Sequence, residues 1–89
     1  MARYFFDFFD GEMRRDTEGS LCESHDDVRR EAMETLPAIA KQMIPEDGDT
    51  QAYTVLVRNT QNITVYTATL TFAGLWLGDT IPPVEEPSL

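Results

Sequence analysis

The sequence predicts an α+β domain: an antiparallel sheet of three to four strands with one helix packed on one face, in β-β-α-β-β order. Three observations lead there. The run Arg3-Tyr4-Phe5-Phe6-Asp7-Phe8-Phe9 holds five of the chain's nine aromatic residues and closes on Asp10-Gly11. Aromatic residues favour strands, and Asp-Gly closes tight turns. Apolar residues then recur at helical spacing from Val28 to Met43. Finally, residues 51–59 and 63–72 alternate on either side of Thr60-Gln61-Asn62, the pattern of a second hairpin.

The first strand, residues 3–9, puts Tyr4, Phe6 and Phe8 on one face and Arg3, Phe5, Asp7 and Phe9 on the other. Both faces carry rings, so both call for cover. Met13-Arg14-Arg15 reads as a short second strand paired with the first. Asp16-Thr17-Glu18-Gly19 reads as a loop, with Gly19 supplying a backbone angle other residues resist. Leu21 is expected to plug the core beside the helix start. Ser24 caps the helix, and Asp26 and Asp27 suit the positive end of its dipole. Val28, Ala32, Leu36, Ile39, Ala40 and Met43 make the buried stripe. Pro37 lacks the N–H for its helical bond and crowds the carbonyl of Met33, so a kink or a stop and restart is expected there, with Pro45 ending the helix. In the second hairpin Tyr53, Val55 and Val57 share a face, as do Tyr66, Ala68, Leu70 and Phe72. The order of the strands in the sheet is left open, with the first and last strands as one candidate pair at its centre. Leu75-Trp76-Leu77 forms an apolar tip. Residues 1–77 read as one domain and residues 78–89, with Pro82, Pro83 and Pro87, as a frayed tail.

The chain has 89 residues and a net charge of −9, with pI ≈ 4.3. A domain of this size buries only about 60% of its unfolded surface, and association adds stability. The acidity argues against nucleic acid or an anionic membrane as partner, since both repel it. Cys22 is the single cysteine, which excludes an internal disulfide and fits a reducing compartment. The N-terminus has no basic segment followed by an apolar run, so no signal peptide is read. The expected location is cytoplasmic. Asn62-Ile63-Thr64 matches a glycosylation acceptor by chance only.

Three constellations bear on chemistry. Cys22 and His25 sit three apart at a helix start, the place where a thiol pKa falls. Glu23, Asp26 and Asp27 crowd them and favour the thiol, and no third orienting group is present, so they read as an ordinary thiol and a helix-start histidine. Asp10, Glu12, Asp16 and Glu18, and later Glu46, Asp47 and Asp49, are acidic loops without calcium-loop spacing. They read as solvated loops, and no metal or cofactor is expected. Asp7, flanked by Phe6 and Phe8, must find donors. The reading is a cross-strand salt bridge to Arg3 or Arg58; the alternative is a pocket acid with a raised pKa. No glycine-rich phosphate loop, CxxC pair or nucleophile elbow is present, and no catalytic residue is assigned.

The residues R-Y-F-F-D-F-F-D-G at 3–11, D-T-E-G-S-L at 16–21 and R-R-E-A at 29–32, followed by two closing strands, resemble a family of small uncharacterised bacterial proteins. That family is common in rhizobia and related alphaproteobacteria and opens with an Arg-Tyr-Phe-Phe-Asp…Asp-Gly signature. The resemblance covers residues 3–72. It implies a bacterial, cytosolic protein of unknown function and brings no catalytic residues with it. Pro37 and the Leu75–Leu89 extension depart from the family pattern.

Two functional readings follow. One is a non-catalytic protein-interaction module that forms a homodimer or binds a protein partner, with Phe5, Phe9, Leu75, Trp76 and Leu77 as the surface. The other is a small-ligand-binding protein or minor enzyme with a pocket between helix and sheet, lined by Tyr4, Tyr53 or Tyr66.

Overall fold

A computed structural model describes residues 1–77; the expected tail at 78–89 lies outside them. The fold is α+β, with one helix against an antiparallel sheet. The elements are β1 (Ala2–Phe9), β2 (Met13–Arg14), β3 (Ser20–Cys22), α1 (His25–Asp47), β4 (Thr50–Arg58) and β5 (Thr64–Ala73). The order is therefore β-β-β-α-β-β, one strand more than expected, because the residues after the acidic loop pair with the start of β1: Ala2 with Cys22 and Tyr4 with Ser20. That pairing sets the direction of Leu21. Strand alternation turns Cys22 into the core and leaves Leu21 exposed, so Leu21 is not the plug.

The sheet runs β2-β1-β4-β5, with β3 beside β2 along the same edge of β1. The candidate pairing of the first and last strands does not form. β1 pairs with β4, Phe6 opposite Val57 and Phe8 opposite Val55. The reason is the helix crossover. β3 and β4 are both antiparallel to β1, so they run parallel to each other, and a parallel return needs a long connection. α1 supplies it, passing over β1's place in the sheet. The hairpin to β5 then leaves β5 at the edge.

Ser24 caps α1 with extended backbone, and its Oγ accepts from the Asp27 N–H at 3.3 Å. Asp27 answers by accepting from the Glu23 N–H at 3.0 Å, so two orphan donors at the helix start are satisfied reciprocally. Neither proline ends the helix: α1 runs through Pro37 and Pro45 to Asp47. Proline's fixed φ is helical, and each proline costs the helix one hydrogen bond. Pro37 is exposed, and Pro45 lies in the last turn. Gly48, at φ +97°, ends the helix instead.

The core lies between α1 and β4. Val28, Ala32, Leu36 and Ala40 of α1 meet Tyr53, Val55 and Val57 of β4, with Phe8 and Cys22 beside them. The two alanines let the helix come close. Ile39, Met43, Tyr4, Phe6, Tyr66 and Ala68 pack around this cluster. The Phe8 and Tyr53 rings are 6.2 Å apart and nearly parallel. No helix among the described residues is long and apolar enough to cross a membrane.

Candidate functional site

The outer face of the sheet, away from α1, holds a buried ionic knot. Asp7 stands there by the alternation of β1 and is only 4% exposed. Arg58 Nε donates to Asp7 Oδ2 at 2.7 Å, and Nη2 donates to Oδ1 at 3.1 Å. This is the two-pronged geometry a guanidinium and a carboxylate prefer. Nη2 also donates to the Asp16 carbonyl at 2.8 Å and Nη1 to Asn62 Oδ1 at 3.3 Å. The Asp16 N–H donates to Asp7 Oδ1 at 3.0 Å, and Arg15 stands 3.8 Å from Oδ2. The Arg58 guanidinium lies 4.7 Å from the centre of the Phe5 ring, a cation–π contact.

The Asp16 carboxylate ties the loop to β1. Oδ2 accepts the Phe6 N–H at 3.0 Å, and Oδ1 accepts the Glu18 and Gly19 N–H groups at 3.1 and 3.0 Å. Arg3 Nη1 donates to the Glu18 carbonyl at 2.6 Å. Gly19 has φ +78°, and a Cβ there would stand 2.9 Å from both Arg3 Cγ and the Tyr4 carbonyl. Glycine is required on both counts.

These bonds set the ionisation of the knot. Burial pushes the Asp7 carboxyl up, but the Arg58 hydrogen bonds, the Asp16 N–H and the charges of Arg58 and Arg15 together hold it below the usual aspartate value. Burial likewise raises Asp16, and its three backbone donors outweigh it. The Arg58 guanidinium is pushed up, first by its hydrogen bonds to Asp7. A pocket acid with a raised pKa is thereby overturned at Asp7; the salt bridge to Arg58 is what forms, while Arg3 serves the loop instead.

The remaining chemical candidates have structural occupations. Cys22 is buried, and burial, Asp27 and Glu31 all push its thiol up, away from nucleophilic character. The Tyr53 hydroxyl donates to Asp47 Oδ2 at 2.8 Å, and burial followed by Asp47 raises its pKa to about 12. Among the described residues no three His, Cys, Asp or Glu side chains gather to hold a metal ion. Side chains pack the space between α1 and β4. One cleft of about 360 Å³ runs along the helix, past Glu34, Ala38 and Gln42, and one of about 190 Å³ opens between the start of α1 and β5, lined by His25, Asp26, Val28, Arg29, Val65 and Tyr66.

The expected interaction residues part company. Phe5 is half-buried beneath Arg58. Phe9 is 41% exposed and pairs with Met13 of β2, itself exposed and not expected from sequence. Leu75 and Leu77 are exposed, and Trp76 is 87% exposed. The Gly74 N–H donates to the Asp49 carbonyl at 2.6 Å, fixing where the 75–77 segment leaves the sheet. The register puts Phe9 opposite Thr54 and Ala73 opposite Thr50. Phe9, Met13 and the 75–77 segment therefore belong to the same end of the sheet.

The model of a protein family matches residues 3–71. The chain belongs to DUF6894, a domain of unknown function. No curated protein and no solved structure matches it. The matched span of this DUF6894 member holds every residue of the knot. Its opening aromatic run and its Asp16–Gly19 loop are bound to each other through Asp7, Asp16 and Arg58.

Proposed function

We propose that this DUF6894 domain is a non-catalytic protein-interaction module, one that self-associates or docks a protein partner through the apolar end of its sheet. The observation that carries the reading is Trp76, 87% exposed between two exposed leucines, with Phe9 and Met13 exposed at the same end. Tryptophan is the residue most enriched among those that dominate binding energy at interfaces. Phe5 lies under Arg58 in the knot, four residues along β1 from Phe9, and is not part of that surface. A net charge of −9 favours a neutral or basic protein partner over nucleic acid or an anionic membrane. The single cysteine and the resemblance at residues 3–72 support a bacterial, cytoplasmic setting. The second reading, a small-ligand-binding protein or minor enzyme with a pocket between helix and sheet, has the cleft of about 190 Å³ between the start of α1 and Tyr66 of β5 to rest on, while Tyr53, Val55, Val57 and the helix stripe pack the rest of the interface.

Sedimentation of the purified chain across a concentration range, with the mass of whatever co-purifies, tests the proposal. Self-association or a bound protein is expected. Trp76→Ser should weaken it about tenfold or more. A monomer with no bound protein, unchanged by Trp76→Ser, would overturn it.

A further inference from the structure

We propose that the free edge of β5 pairs with β5 of a second copy, antiparallel, about a two-fold axis at Thr69. The proposal rests on the interaction-module reading and names the partner.

Three observations converge on this edge. In the order β2-β1-β4-β5, β5 has β4 on one side only among the described residues. Over its ten residues, half of the backbone N–H and C=O groups point away from the sheet. Such edges are normally blunted by charge, proline or bulges. From Ile63 to Leu77 there is no charged residue and no proline, and the one irregularity in register lies at Val57/Arg58, opposite the beginning of β5. In a chain of net charge −9, this is a surface on which two copies meet without like-charge repulsion.

The strand also complements itself. Residues opposite one another across an antiparallel pair point to the same face. With Thr69 on the axis, Thr69 faces Thr69, Thr67 faces Thr71, Ala68 faces Leu70 and Tyr66 faces Phe72. Threonines meet on the outer face, where Thr54 and Thr69 already share a hydroxyl hydrogen bond of 2.9 Å within one copy. An aromatic pair and an aliphatic pair form on the helix side. Thr–Thr and aromatic cross-strand pairs are the stabilising ones. Moving the axis to Ala68 would instead set Tyr66 opposite Leu70 and Phe72 opposite Thr64, losing the aromatic pair.

The third observation is what α1 leaves uncovered. Leu70 and Phe72 point to the helix side, yet they stay 36% and 37% exposed. A two-fold axis perpendicular to the sheet sets both helices on the same side of one continuous sheet. Leu70 and Phe72 then lie in the seam between the two helices, where the second copy covers them. The contact is isologous and closes at two copies.

The test uses the full chain. Sedimentation should show a monomer–dimer equilibrium, and Thr69→Glu, which places like charges opposite each other on the axis, should weaken it about fivefold. Thr69→Gln, of the same size and uncharged, should leave it near wild type. In a Cys22→Ala background, a nitroxide on Thr69→Cys should give a dipole-broadened spectrum, and one on Thr60→Cys, in the far turn, a sharp one. A monomer up to millimolar protein overturns the pairing, whether the edge is free or taken by this chain's own residues. So does a dimer with a sharp spectrum at position 69. A dimer or complex lost in Trp76→Ser but indifferent to Thr69→Glu overturns the edge contact while leaving the apolar-end reading standing.

Discussion

Arg58→Ala removes the cation that neutralises a carboxylate at 4% exposure. Asp7 would keep one donor, the Asp16 N–H at 3.0 Å, and one distant charge, Arg15 at 3.8 Å. The change also deletes the bond to the Asp16 carbonyl and the cover over the Phe5 ring. Removing one member of a buried pair costs about 3–5 kcal/mol. Arg15 is mostly exposed and free to turn towards Asp7, which recovers part of it. The expected loss is about 3 kcal/mol, against a total of about 5–15 kcal/mol for a domain. At about 4–8 °C per kcal/mol for this size, the thermal midpoint should fall by about 12–24 °C. Urea unfolding followed by far-ultraviolet circular dichroism reads the change; Trp76 is too exposed for its fluorescence to report it. Replacing both partners, Asp7→Leu with Arg58→Met, should restore most of the stability, since no charge is then stranded. A loss under about 1 kcal/mol, the worth of a surface ion pair, would refute the reasoning. The same knot sets the acid limb of stability. Asp7 and Asp16 titrate below the ordinary 3.8, so as pH falls the unfolded chain takes up their protons first. Their stabilisation is present above that value and is lost as pH falls through the lower, folded values. Asp7→Asn should flatten that limb.

Three further outcomes are expected. Gly19→Ala should cost about 2 kcal/mol or more by denaturant melt, from positive φ and from a Cβ 2.9 Å from the Tyr4 carbonyl. Pro37→Ala should stabilise by about 1–3 kcal/mol, since the exposed position regains the hydrogen bond to Met33 without meeting a packed neighbour; an unchanged midpoint would mean the helix has no bond to regain. Tyr53→Phe should cost about 1 kcal/mol through the lost bond to Asp47. In the wild type, ultraviolet titration should show one tyrosine ionising near 12. The unfolded chain releases that proton first, from 10.0 upward, so stability should fall between the two values.

Fold class, hairpins, helix start and helix stripe were legible in the residues, because each is written in neighbours two to four positions apart. Ser24, the Val28–Ala40 spacing and the Tyr53-Val55-Val57 alternation needed no distant partner to be read. Gly19's positive φ was foreseen from its loop; the Cβ clash with Arg3 and Tyr4 was not, since those residues come from another strand. Asp7 announced that it needed a donor but not which one, because Arg58 lies 51 residues away. Asp16 looked like one acid among several; its spacing to Gly19 was the available signal of a loop-closing carboxylate. β3 was too short for periodicity, and so Leu21 was given the core place that Cys22 takes. The prolines misled because local propensity says what a residue costs, while the packing of α1 across the sheet decides whether that cost is met.

The residue order alone determined that a sheet and a single helix form, and that the opening strand carries more rings than one helix shelters. Tertiary structure alone decided that Phe5 goes under Arg58 while Phe9 stays in water, and that β5 rather than β1 is left at the edge. The physical reason is that burial and pairing are set by which strands the helix crossover brings side by side, and no pattern within a strand encodes its neighbour.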